Sequence, residues 1–451
     1  MLSQSEKLGK EKVSTLLLKM SLPAIIGMMV NSLYNVVDTI FIGRGVGPMA
    51  IGGLAIAFPI QMLTMGFAQL VGIGSASAVS RNLGANNTER ADHVAGNAYV
   101  LIIGISLIFA TIGLLFTDTF LKVFGATPGL MPFARDYIRV IFLGSVFFSF
   151  TMATQYLIQA EGNAKIAMTS TLIGALLNIA LDPLFIFGLK AGIKGAAYAT
   201  IISQFASFVF IISYLYSGKS SLKVRLHHLK PRLEIIREIF AVGASAFTRS
   251  TTNTIFSIVI NNSLRIYGGD IAITIFGIVN RIIAFLFLPI MGVVQGMQPI
   301  AGYNYGAKKI DRVKEVVKLS IIASTVIAIL GWIMGQSFPQ VIIMAFTDDD
   351  SIITKGAFVF RMVIAMIPFL GLQFVGATLF QALGKAVPAL VLSLLRQFTL
   401  LTPLILLLPR LFNLGLMGVW VSFPVADILA VIITGFLLKH EMRKINKEMA
   451  L

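Results

Sequence analysis

Asp38, in the segment NSLYNVVDTIFIG, and Asp182, in ALLNIALDPLFIFG, are single carboxylates set in long apolar stretches. At membrane depth such a group costs about 2.5–3.5 kcal/mol on insertion scales, so the pair points to chemistry rather than packing. Asn31, Tyr34 and Asp38 follow at steps of three and four residues, along one face of a helix. Asn178 and Asp182, four apart, share a face in the same way. Two neighbouring carboxylates in a poorly solvated pocket cannot both ionise easily, so one proton affinity should rise towards the working range. Asn178 and Tyr34 can hydrogen-bond the pair in either protonation state. Pro183 lacks a backbone donor, so the helix carrying Asp182 should bend beside it. The blander reading is that each aspartate only satisfies an interhelical hydrogen bond.

The elements that must hold these residues are membrane spans. Of 451 residues, 57% are hydrophobic and 12% charged, with a mean hydropathy of +0.87. That composition predicts an all-α polytopic membrane protein. Twelve apolar runs are long enough to cross ~30 Å of hydrocarbon: 16–41, 50–79, 95–117, 138–160, 164–188, 193–217, 238–264, 272–301, 317–345, 357–383, 386–409 and 415–438. With an even number, both termini share a side. Of the 36 Lys and Arg residues, 23 fall on that side and eight opposite. The positive-inside rule therefore puts both termini in the cytoplasm of a cell membrane, plasma or inner. At 1.5 Å per residue, Asp38 and Asp182 lie roughly 7–9 Å below the outer ends of spans one and five.

The net charge of +16 sits in short loops, not in a nucleic-acid footprint. The absence of cysteine excludes disulfides and thiolate sites. His93, His227, His228 and His440 fall in charged connecting segments and read as surface residues, outside any buried metal constellation. The polar first nineteen residues run into a long span without a cleavage site, so no removable signal peptide is expected.

Sliding the chain by 222 residues aligns RNLGANNTERA near 81 with YNYGAKKIDRV near 303, and QAEGNAK with QALGKAV. Asn31 then pairs with Asn253, and Arg139 with Arg361. Six spans per repeat predict two six-helix lobes related by a pseudo-twofold axis along the membrane normal, with a central cleft. The expected division is an N-terminal lobe 1–218, a basic cytoplasmic linker 219–237 against anionic headgroups, and a C-terminal lobe 238–451. The repeat partners of Asp38 and Asp182 are Ile260 and Leu404, so ion chemistry is confined to the N-terminal lobe. The C-terminal lobe offers Phe256, Met291, Met297 and Gln298 as cavity-lining or substrate candidates, adaptable side chains that suit varied apolar cations. Gly292 and Gly296 read as a close helix contact, Asp427 as a partner of an intramembrane arginine such as Arg396, and Glu161 as a turn or gate residue. Arg249 and Arg281 stay unassigned.

Together these features resemble the MATE (multidrug and toxic compound extrusion) family across nearly the whole chain. The carrying residues are SLPAIIGMMVNSLYNVVDTIFIG, the RNLGA and YNYGA copies, QAEGNAK and LLNIALDPLFIFG. The resemblance implies twelve spans in two lobes, antiport, and export of amphipathic, often cationic compounds. It assigns Asp38, Asn178 and Asp182 to the N-lobe cation site, with Asn31 and Tyr34 lining the same cavity. Ile260 and Leu404, where acids would be needed for a C-lobe site, favour the MepA-like or DinF-like branches over NorM-type members.

The expected activity is a secondary multidrug exporter working by alternating access, not an enzyme. No cofactor is expected. The coupling ion is a proton, with Na+ at Asp38, Asn178 and Asp182 as the alternative; the partners are small amphipathic or cationic molecules and membrane lipids, without nucleic acid, and the chain is expected to be a monomer. A dedicated exporter or flippase of one metabolite or lipid-linked precursor is the competing reading. An intramembrane aspartyl protease is a remote one, because the repeat does not split the aspartates across two catalytic helices. The fragment Gly218–Lys219–Ser220 lacks the upstream glycine of a phosphate-binding loop.

Overall fold

Hydrocarbon leaves backbone polar groups no partner but each other, and a helix satisfies them within one segment. The computed structural model describes residues 4–448, with side chains except at 254, 412 and 445–448; positions 1–3 and 449–451 of the two expected lobes lie outside the described residues. Those residues form helices and turns without strands. In chain order the helices are α1 (Gln4–Lys10), α2 (Val13–Gly45), α3 (Pro48–Gly84), α4 (Thr88–Leu115), α5 (Thr117–Val123), α6 (Met131–Ala160), α7 (Ala164–Pro183) and α8 (Gly192–Tyr216). They continue as α9 (Leu233–Gly306), α10 (Ile310–Ser337), α11 (Pro339–Met344), α12 (Asp350–Val363), α13 (Ile367–Ala382), α14 (Ala386–Leu394), α15 (Thr402–Leu407) and α16 (Leu416–Glu448).

Ten of these helices, counting α7 and α14–α15 with their π-helical turns, are long and apolar enough to cross a membrane. The pair α12 and α13, bent by 49°, supplies an eleventh span. Helix α9 has 74 residues, about 110 Å at 1.5 Å per residue, so it cannot be one crossing. It breaks at Gly269, whose φ of 64° and ψ of −161° suit only glycine, and counts as two. The total is twelve, six in each half. Expected limits shift where helices run past the apolar core: α10 starts at Ile310 rather than 317, and the run expected at 317–345 divides into α10 and α11. Pro183 ends α7, and the chain continues as a π-helical turn, Leu184–Gly188, closed by the Leu189 N–H donating to the Leu184 carbonyl at 2.8 Å. The expected bend thus takes the form of a wider turn beside Asp182.

The repeat is visible in the contacts. A Cβ at Gly84 would lie 1.9 Å from the Tyr303 carbonyl oxygen, and one at Gly306 would lie 1.9 Å from that of Arg81. Since 84 pairs with 306 and 81 with 303 at the offset of 222, this is one contact made twice about a twofold. Other glycines bring the lobes equally close: Gly243 meets Leu70, Gly74 meets Ile239, Gly292 meets Ile25 and Gly296 meets Ser21. The last two confirm the close contact expected of Gly292 and Gly296. The Ser77 hydroxyl donates to the Gln381 carbonyl across the same seam. All these contacts lie toward the chain termini. Farther along, the polar residues Asn31 and Asn35 of α2 and Thr251, Asn253 and Ser257 of α9 are exposed within apolar spans, as a water-filled gap between the lobes requires and a lipid-facing surface does not. The lobes are closed on the side of the termini and parted on the far side.

Each repeat also crosses to the other lobe at its start. Asn304 and Arg312 donate to the Leu8 carbonyl at 3.0 and 3.1 Å, holding α1 against α9 and α10. At the repeat-related place, a 3₁₀ turn of the linker, Leu226–Leu229, lies against α4.

Candidate cation site in the N-terminal lobe

Helices α2 and α7 bring Asp38 and Asp182 together. Asp38 is 6% exposed, Asn178 2% and Asp182 0%. The two carboxyl groups are close enough to feel each other's charge, so in this buried setting they do not readily ionise together. The Asn178 amide donates to Asp182 Oδ1 at 3.3 Å and to the Thr200 hydroxyl at 3.4 Å. Thr200, on α8, donates its own proton to the Ala196 carbonyl at 3.0 Å, so its oxygen is free to accept. Asp38 Oδ1, Asp182 Oδ2 and Asn178 Oδ1 are buried without a hydrogen-bond partner. A buried acceptor left unpaired costs about 1–3 kcal/mol. Three of them, all oxygens, fit a proton shared by the acids or a hard cation held by oxygen ligands.

The other sequence candidates separate. Asn31 is exposed and Tyr34 half-buried on α2. Met291 is half-buried on α9. Gln298 is 7% exposed, its Nε2 unpartnered, in a small cavity at the seam with Tyr156, Gln159 and Gln295. Phe256 and Met297 are packed away in this conformation: Phe256 is 7% exposed and packs edge-on against Phe423 of the C-terminal lobe, and Met297 is fully buried. Thr200 was not anticipated, since a lone threonine in an apolar span is common. Neither was Tyr137 on α6, fully buried, whose hydroxyl accepts from the Gln61 amide at 3.2 Å and which shares the electrostatic environment of Asp38.

Asp427 pairs with Arg396 at 2.6 Å in the C-terminal lobe, as the sequence suggested. Arg249, half-buried, has no hydrogen bond or ion pair among the described residues. It lies beside Tyr156, one of the seam-cavity residues, on the side of α9 opposite the exposed Ile258. Glu161 does more than turn the chain. It is fully buried and accepts from Tyr214 at 2.9 Å, Ser220 at 2.8 Å and the Ser221 N–H at 2.6 Å, anchoring the linker. Burial holds its carboxyl above the usual carboxylate range, against the opposing pull of those donors. The histidines are a correction. His93 and His228 are buried, 5% and 2% exposed, and meet His227 and Glu89 in one cluster. Residues 89–93 and 227–228 are far apart in sequence, so the fold alone brings them together.

A protein-family model, MatE, matches residues 23–184 and 244–407. The multidrug export protein MepA of Staphylococcus aureus (strain N315) is 30% identical over 418 residues, 93% of this chain and 92% of that protein. Its counterpart in Staphylococcus haemolyticus (strain JCSC1435) is 29% identical over 417 residues, 92% and 91% of the two chains. Among solved structures, a ligand complex of the MATE multidrug transporter DinF-BH is 41% identical, with a TM-score of 0.88 over 98% of each chain. A MATE in the bent conformation superposes over 100% of both chains with a TM-score of 0.95 at 24% identity, a likeness of fold alone.

Proposed function

The chain belongs to the MatE family, and from that membership we propose that it is a secondary active multidrug exporter, exchanging amphipathic, often cationic compounds for a cation at Asp38, Asn178 and Asp182. The MepA relatives are multidrug export proteins, and DinF-BH is a multidrug transporter. The observation that carries the coupling is the set of three unpaired oxygens in the buried Asp38–Asn178–Asp182 group. The ion is a proton, which the burial of two interacting carboxyl groups side by side favours, with Na+ as the alternative.

The N-terminal lobe (1–218) carries the ion site and the C-terminal lobe (238–451) most of the opposing cleft wall, joined by the linker 219–237. With the termini in the cytoplasm of the plasma or inner membrane, the parted side faces outward. A cation then enters from outside and fills the site, and substrate leaves into the open cleft. The lobes rock, the ion discharges inside and fresh substrate binds. One charge crossing ~150 mV provides ~3.5 kcal/mol, enough for a gradient of roughly 300-fold at tenfold per 1.4 kcal/mol. The chain works as a monomer, since the cleft lies between its own two lobes.

The test is dye efflux from proteoliposomes under separately imposed proton and sodium gradients. Asp38→Asn and Asp182→Asn should each abolish gradient-driven efflux, and the gradient that drives the wild type names the ion. Full efflux by both variants would sink the coupling assignment. Export of one metabolite only, with dyes untouched, would favour the dedicated-exporter reading.

A further inference from the structure

Away from the cleft, on the side of the termini, four metal-ligating side chains converge from two segments. Glu89 and His93 stand one turn apart at the start of α4, and His227 and His228 sit side by side on the linker's 3₁₀ turn. Their ligand atoms all lie within 4.8 Å of one another. Glu89 Oε1 is 3.4 Å from His93 Nε2, 3.4 Å from His227 Nε2 and 3.0 Å from His228 Nε2. Ligands bound at ~2.0–2.1 Å in a tetrahedron stand about 3.3 Å apart. The three oxygen–nitrogen edges therefore already have nearly the length a bound ion requires.

We propose that Glu89, His93, His227 and His228 form a binding site for a divalent transition-metal ion of the zinc type, clasping the interlobe linker to the N-terminal lobe. Three imidazole nitrogens and one carboxylate oxygen suit such an ion and disfavour Mg2+ and Ca2+, which take oxygen ligands. The imidazole–imidazole edges must contract from as much as 4.8 Å. The side chains of Glu89 and His227, 67% and 51% exposed, are free to move inward.

Two contacts yield on binding. The Arg232 guanidinium donates to His93 Nε2 at 2.8 Å, and this exposed side chain can swing into solvent. His228 Nδ1 accepts from the Arg225 N–H at 2.9 Å, which places the ring proton on Nε2 facing Glu89. Metal binding displaces that proton and gives up one neutral hydrogen bond, a small loss against a metal–imidazole bond. His93 Nδ1 has no partner, so nothing on the far side of that ring opposes its turning onto the ion.

The clasp adds to ties that already fix the linker. Asp92 accepts from the Lys223 N–H at 2.8 Å, Asn97 from the Arg232 N–H at 2.7 Å, and Glu161 holds Ser220 and Ser221. An ion there stiffens the connection between the lobes at its N-lobe end.

The full chain, purified without a histidine tag, is titrated with zinc chloride by calorimetry, and its thermal unfolding is followed at rising zinc concentration. We expect saturable binding of a single zinc ion per chain and a melting midpoint that climbs with zinc. His227→Gln and Glu89→Gln, both on exposed side chains, should each weaken binding at least tenfold with zinc-free melting unchanged. His440→Gln should bind like the wild type, and excess magnesium should not compete. Absence of saturable binding, or equal affinity in the His227→Gln and Glu89→Gln chains, overturns the assignment.

Discussion

Replacing Gly243 with alanine should unseal the cleft on the side of the termini. A Cβ there would lie 1.8 Å from the Leu70 carbonyl oxygen and 2.7 Å from its carbon. Close C–H···O contacts begin near 3.3 Å, so α3 and α9 must part by roughly 1.5 Å. Both clashing atoms belong to backbone, and no rotamer change relieves them. Overpacking of this kind costs about 1–3 kcal/mol. Alanine also favours a helix over glycine by about 1 kcal/mol, but that gain is present whichever way the lobes are turned and cancels from the conformational balance. What remains should shift the balance away from the closed seam by about 5–150-fold. The chain has no cysteine, so a single introduced thiol reports without background. Ala76, 5% exposed in the seam cavity, is a suitable position. Maleimide labelling of Ala76→Cys from the side of the termini should accelerate by that factor in the Gly243→Ala background. Gly104→Ala, with no atom within 4 Å of its added Cβ, should leave the rate alone. Equal rates in both backgrounds would refute the view that glycine contacts hold the seam shut.

Other perturbations test the parts separately. Thr200→Val removes an acceptor of the Asn178 amide, a loss of about 1 kcal/mol, and should raise the ion concentration for half-maximal efflux several-fold without changing expression. Glu161→Ala strips the acceptor from Tyr214, Ser220 and the Ser221 N–H. At about 1.5–3 kcal/mol for a hydrogen bond to a charged group, it should make the linker around 217–225 the first site of limited proteolysis. Asp427→Leu alone leaves Arg396 without its counter-charge, a loss of about 3–5 kcal/mol; adding Arg396→Met should restore the melting temperature measured in detergent. Arg249→Gln removes an unpaired cation at the base of the cleft, so vesicle assays should show faster efflux of permanently cationic dyes relative to zwitterionic ones.

How legible these features were depended on the range of the signal. Apolar run length revealed the spans, and ordered glycine and polar landmarks revealed the repeat, because both are local in sequence or periodic along it. Asp38 and Asp182 stood out because carboxylates are rare in apolar surroundings. Thr200 and Tyr137 did not, because hydroxyl side chains are ordinary in helices and only packing shows which ones lie at the site. Phe256 and Met297, buried here, show the related limit that a hydrophobic residue in a span fits either face. The 49° bend between α12 and α13 and the merging of two spans into α9 depend on a few backbone angles. The histidine cluster needed the linker folded back onto α4, a long-range contact with no local trace.

In the proposed mechanism, ion site and seam meet on α2. Near one end this helix carries Asp38; near the other, Ser21 and Ile25 take the close approach of Gly296 and Gly292. Those contacts and the carboxylate are 13 to 17 residues apart, about 20–25 Å along one helix. Pro23 lies between Ser21 and Ile25, where the missing donor makes α2 easiest to bend. Filling the proposed ion site would change the charge against which α2 packs on α7, and any adjustment of α2 would be delivered to the seam through contacts too close to absorb it. Helix α7 holds the other carboxylate but stays within its own lobe. An ion site confined to one lobe can therefore govern a seam between two, provided that α2 moves as a lever. Exchanging Pro23 for alanine, which restores the hydrogen bond, should stiffen that lever. If it leaves ion binding at Asp38 intact while slowing ion-driven efflux, transmission along α2 is the step that was lost; unchanged efflux would move the coupling elsewhere.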